Sequence, residues 1–96
     1  MIVSFGDRRT EDFYHGRETS RLRRMSAALR EATLFKLDML NAATSLSDLR
    51  SPPSNRLEKL RGELREFHSM RVNDQWRAIF RWANGEASAV RLIDYH

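Results

Sequence analysis

The chain ends Ile93-Asp94-Tyr95-His96, so a carboxylate, a phenol and an imidazole follow one another at the end of an alternating apolar run. Metal-free cleavage of RNA needs a base to take the 2′-hydroxyl proton and an acid to protonate the departing 5′-oxygen. It also needs cations to stabilise the charge that gathers on the phosphorane. Asp, Tyr and His supply the proton-transfer groups, and Arg supplies the cations. Along a regular strand Asp94 and His96 point to one side and Tyr95 to the other, whereas at a frayed end all three can converge on one cleft. A terminal His is more often simply a solvated chain end. His15, His68 and His96 lie far apart without ligand-like spacing, so neither a metal site nor a cofactor is expected. The chain has no Gly-rich phosphate loop and no Gly-x-Ser-x-Gly element, which removes nucleotide hydrolysis and serine esterase chemistry.

The cations are of one kind. Of 17 basic residues fifteen are Arg, against Lys36 and Lys59, and the formal net charge is +4. A planar fork of donors matches phosphate or carboxylate in bidentate fashion, so the bias points to nucleic acid or an acidic protein, although a GC-rich genome produces it too. At 96 residues, 41% hydrophobic and 31% charged, the chain is expected to fold as one domain over residues 1–96. Cysteine is absent, and neither a membrane span nor a signal peptide is visible, so a cytoplasmic location is expected.

The elements that must position these groups are legible in the pattern. Residues 2–5 read as a strand, and Thr10 as the N-cap of a short helix that ends at Gly16. Over 20–43 Leu22, Met25, Leu29, Ala32, Phe35, Met39 and Ala43 recur every three or four residues, which predicts an amphipathic helix with Ser26 as a cap that divides it. A further helical turn is allowed over 45–49, before Ser51-Pro52-Pro53-Ser54-Asn55 breaks regular structure. Residues 56–61 form an element with Leu57 and Leu60 inward, ended by Gly62. The last third reads as a meander of strands over 66–72, 76–82 and 87–93, joined by Asn73-Asp74-Gln75 and by Asn84-Gly85. Alternation puts Trp76, Ala78, Phe80 and Trp82 on one face, and Arg77, Ile79 and Arg81 on the other. The expectation is an α+β fold, β-α-α-β-β-β, with helices on the aromatic face of an antiparallel sheet and Arg side chains presented on the opposite face.

Two stretches and the ending match something specific. Asp48-Leu49-Arg50-Ser51-Pro52-Pro53-Ser54-Asn55-Arg56-Leu57-Glu58-Lys59-Leu60-Arg61-Gly62 resembles the middle of HigB-type toxins, and residues 67–82, with Arg71-Val72-Asn73-Asp74-Gln75-Trp76-Arg77 at their centre, resemble their central hairpin. Asp94-Tyr95-His96 is similar to their ending, and the likeness runs over nearly the whole chain. The resemblance implies the RelE/ParE-like fold, ribosome-dependent cleavage of mRNA without metal or cofactor, and a HigA-type helix-turn-helix antitoxin through which the toxin reaches DNA indirectly. It implies no association with a membrane. Carried onto this chain, it makes Asp94, Tyr95 and His96 catalytic, with Arg61 and Arg77 on the scissile phosphate and Arg77 taking the largest electrostatic share. Arg71, Arg81 and Lys59 follow as further RNA-binding cations. Glu58 stands where some members carry His, placed to act as a base or to orient Arg61. Residues 17–25 look longer than in typical members. Two rivals remain: a non-catalytic toxin of the same fold that acts on DNA gyrase, and an Arg-rich binding module.

Overall fold

A computed structural model describes residues 1–94, the side chain of Arg21 excepted; the expected site residues Tyr95 and His96 lie outside the described residues. Three helices precede the sheet: α1 (Arg8–Tyr14), α2 (Ser20–Arg23) and α3 (Ala27–Ala42). The cap of α1 is Asp7 rather than the expected Thr10: its carboxylate accepts from Thr10 N at 2.8 Å. Thr10 is needed elsewhere, because it is fully buried and its hydroxyl accepts from Leu92 N at 3.2 Å, tying α1 to the last strand. Ser26 divides the second helical stretch as expected, its Oγ accepting from Leu29 N at 3.1 Å to cap α3.

The restart at Ser26 fixes which face of α3 turns inward. Thr33, Lys36, Leu37 and Leu40 are buried, while Phe35, expected in the apolar stripe, is 60% exposed. The spacing of three and four that runs through Phe35 drifts off the packed face as the helix turns 100° per residue.

A 3₁₀ turn at Leu46–Arg50 and another at Pro53–Asn55 lead into the sheet. Its strands are β1 (Glu58–Lys59), β2 (Phe67–Arg71), β3 (Trp76–Ala83) and β4 (Glu86–Asp94), in that order and antiparallel throughout. The element expected over 56–61 is resolved as follows: Arg56 adopts φ 44°, ψ 52°, the chain then extends into β1, and Gly62 opens a short 3₁₀ turn. Residues 2–5 run parallel to β4 along its free edge, bridging at Ile2 to Ala87 and at Phe5 to Val90. The Asn84-Gly85 turn forms as predicted, with both residues at positive φ.

The core lies where alternation placed it. Met70, Ala78, Phe80, Ala87, Val90 and Leu92 face Leu37, Leu40 and Leu49, with Trp76 and Trp82 packed at the margin. The fold is α+β, and among the described residues no helix is long and apolar enough to cross a membrane.

Candidate active site

The face of the sheet turned away from this core is built in two rows. In the β1–β2–β3 register Glu58 lies opposite Ser69 and Ser69 opposite Ile79; in the next row Arg71 lies opposite Arg77. The face was expected to present its cations to solvent, and Arg77 instead is only 7% exposed. Its partners explain the burial. Nε donates to Ser69 Oγ, Nη2 donates to the Arg56 carbonyl at 2.8 Å, and Nη1 lies 3.7 Å from Glu58 Oε1. A buried guanidinium is tolerated when its donors are occupied and a carboxylate stands near.

Like charges directly opposed across a strand pair disfavour the sheet. Each of the two cations is offset by its own acid: Arg77 by Glu58, and Arg71 by Asp74, which it contacts through Nη2. Arg56, Arg71, Asn73, Asp74 and Arg77 line a polar cleft of about 270 Å³. Among the described residues, three guanidiniums stand here against the carboxylates Asp74 and Glu58, an excess of positive charge. The cleft is suited to an anion that accepts several N–H bonds, as a phosphodiester does.

The β2–β3 turn frames one end of the cleft. Asn73 Oδ1 accepts from Gln75 N at 2.9 Å and from Trp76 N at 2.8 Å. Gln75 Nε2 in turn donates to Asp94 Oδ2 at 3.0 Å, and Asp94 is the register partner of Trp76. The end of β4 is thus held beside the turn that borders the Arg71–Arg77 pair.

The other expected residues are distributed differently. Glu58 was expected to act as a base or to orient Arg61; the cation beside it is Arg77, not Arg61. Arg61 is exposed beyond the end of β1 and forms no hydrogen bond or ion pair among the described residues. Lys59, opposite His68, belongs by alternation to the helix side of the sheet, away from the cleft. Arg81 sits four residues along β3 from Arg77, roughly 13 Å at strand rise, where it lies over the Phe67 ring at 5.1 Å and 3.4 Å from Glu66. Arg56, Ser69, Asn73 and Asp74 had no place in the expected site. Only the position of Arg56 directly after the Pro-Pro loop hinted at one, and nothing in the pattern reveals its left-handed backbone. Such a conformation costs a non-glycine residue about 1–3 kcal/mol and persists only where its surroundings fix it.

Across the sheet, His68 stacks on Phe80 with ring centroids 6.0 Å apart. Burial pushes its imidazole below the ordinary histidine value, with the nearby Lys59 charge adding to the effect.

Residues 3–96 match a protein family described as RelE-like toxin of type II toxin-antitoxin system HigB. The chain belongs to the HigB-like toxin family. This HigB-like toxin is 42% identical over 87 residues to Toxin HigB-1 of Vibrio cholerae, a match covering 91% of the chain and 90% of that protein. An uncharacterized protein of Haemophilus influenzae is 44% identical over 57 residues, covering 59% of the chain and 56% of that protein. As a member of a type II system, the HigB-like toxin has a cognate antitoxin.

Proposed function

We propose that this HigB-like toxin, one domain over residues 1–96, is a metal-independent endoribonuclease that cuts mRNA on the translating ribosome in the cytoplasm. The observation that carries the reading is the opposed Arg71–Arg77 pair, which lines a cleft with Arg56, three guanidiniums brought to one place. In this reading the cleft takes the scissile phosphate. Arg77, held at Ser69, Arg56 and Glu58, meets the developing phosphorane charge with donors that need no reorganisation. Arg71 shares the phosphate once it turns from Asp74.

Proton transfer falls to the chain end. Asp94 is held at Gln75, beside the cleft, and Tyr95 and His96 follow within a covalent reach of about 7 Å for two extended residues. His96 or Tyr95 takes the 2′-hydroxyl proton and the other protonates the leaving oxygen, while Asp94 orients them. Glu58 restrains Arg77, whose Nη1 lies 3.7 Å from its Oε1, rather than acting as the base. Arg61, Lys59 and Arg81 stand outside the cleft, where they contact the ribosome rather than the strand that is cut.

A cleft of this size holds a phosphate but offers little surface for reading bases, so selectivity comes from the ribosome's grip on the mRNA. The cognate antitoxin is a helix-turn-helix protein that silences the toxin and carries it to DNA indirectly. The test is growth after induction of wild type and His96→Ala, with primer extension on a reporter mRNA. Arrest with cuts confined to translated codons, both lost in the variant, supports the reading. Arrest without cuts rejects it and moves gyrase to the front.

A further inference from the structure

One buried titratable group takes no part in the reading above. Lys36, in the middle of α3, is 9% exposed, and its Nζ donates to Asn55 Oδ1. The Phe35 ring lies 5.6 Å from the ammonium, and no carboxylate pairs with it among the described residues. An ammonium in such a place is costly, and a methionine would fill the same volume without the charge. Burial, and after it the charge of Arg71, pulls the amine below the ordinary lysine value.

The contacts beyond Lys36 lead to the cleft. Asn55 is fully buried and spends its amide donors on the Leu49 carbonyl at 3.1 Å, the Ser51 carbonyl at 3.5 Å and Met39 Sδ at 3.1 Å. With its oxygen on Lys36 and its nitrogen on the loop, it clamps residues 49–55 to α3. The next residue, Arg56, holds its left-handed backbone with its N–H on the Pro53 carbonyl at 3.0 Å. Its own carbonyl accepts from Arg77 Nη2. A continuous series, Lys36 to Asn55, Asn55 to Arg56 through the chain, Arg56 to Arg77, therefore joins the packed face of α3 to the guanidinium on the far side of the sheet.

We propose that Lys36 is a positioning residue for the cleft: through Asn55 it fixes the loop whose Arg56 carbonyl sets the Arg77 guanidinium. Without the ammonium, Asn55 Oδ1 is left buried and unpaired, and the clamp on a strained backbone loosens. Arg77 then keeps Ser69 and Glu58 while the Arg56 carbonyl shifts from Nη2. The coupling stands on the contacts alone; its catalytic consequence rests on the ribonuclease reading.

Nuclear magnetic resonance on the wild-type chain, labelled in arginine and lysine side chains, tests the coupling without any substitution. As pH is raised, the Arg77 ζ-carbon and ε-nitrogen shifts should move with the same inflection as the Lys36 ε-carbon. An Arg77 signal flat through the Lys36 titration overturns the proposal. In Lys36→Met, with a native-like amide spectrum, the Arg77 ε-nitrogen signal should shift. Cleavage should slow on the order of 10- to 100-fold in kcat with KM little changed, as for a misplaced group. Asn55→Ala should reproduce both effects, and the double variant should be no worse than either. A folded Lys36→Met with an unaltered Arg77 signal also overturns the proposal. If wild type fails to cut RNA while Arg77 still follows Lys36, the positioning role stands and the ribonuclease assignment falls.

Discussion

Arg71 and Arg77 are Cα partners across β2 and β3, so two guanidiniums occupy one cross-strand site where a sheet alone would favour opposite charges. Asp74 and Glu58 offset them individually, neither acid bridging both, and the Arg56 carbonyl accepts from Arg77 Nη2. In the reading proposed above, an anion with several acceptor oxygens bonds to both guanidiniums at once.

Arg77→Lys separates charge from geometry. Lysine keeps the positive charge but cannot reach Ser69, Arg56 and Glu58 from one plane. Cleavage of a reporter mRNA on translating ribosomes should fall by roughly 10²–10³-fold, the usual loss for one preorganised transition-state donor. Thermal unfolding should show whether the fold survives; a folded Arg77→Lys chain that cuts at the wild-type rate would remove Arg77 from the chemistry.

The salt dependence of RNA binding distinguishes cations in the cleft from those outside it. With an all-deoxy oligonucleotide, which lacks the 2′-hydroxyl and cannot be cut, fluorescence anisotropy gives the slope of log K against log salt. Each lost phosphate contact should reduce that slope by about 0.7 for a single strand. Arg71→Ala should show the reduction. Arg81→Ala should not, since Arg81 is engaged by Glu66 and Phe67 away from the cleft. Equal effects from both would mean that binding is spread over the whole face.

The pattern of residues carried β2, β3 and β4 but not β1, because period-two alternation and the Asn84-Gly85 turn are local signals. Trp76, Ala78, Phe80 and Trp82 do share the core face, and Ser26 does restart α3. What the pattern missed depends on contacts distant in sequence. Asp7 displaced Thr10 as a cap because Thr10 bonds to Leu92, 82 residues away. Arg77 was read as exposed because no local rule announces that Arg56, 21 residues earlier, curls its carbonyl over it. Glu58 and Arg61, three residues apart, were paired by the family resemblance, but in an extended chain they part, and the register sets Glu58 beside Ser69 and Arg77.

His68 predicts how stability responds to acid. Its folded-state pKa is lowered by burial, so the folded protein resists a proton that the unfolded chain accepts. Its contribution is complete above the unfolded value of about 6.5 and is lost as pH falls from there through the lowered folded value. His68→Phe retains a ring against Phe80 and removes the titration. Urea midpoints taken between pH of about 7.5 and 5 should fall more for wild type than for the variant. Parallel falls would assign acid sensitivity to other groups.

Ser26→Ala should weaken the fold without touching the chemistry. The hydroxyl caps α3 by accepting from Leu29 N, and no acidic residue in the first turn replaces it. Loss of such a cap costs about 1 kcal/mol, which in a domain of this size lowers Tm by roughly 4–8 °C. Lys36 lies ten residues further on, buried by its own contacts with Asn55, so fraying of the first turn stops short of it. Cleavage measured well below Tm should therefore match wild type. A rate that fell together with Tm would show that the start of α3 communicates with the cleft, and that the anchor at Lys36 is softer than its burial implies.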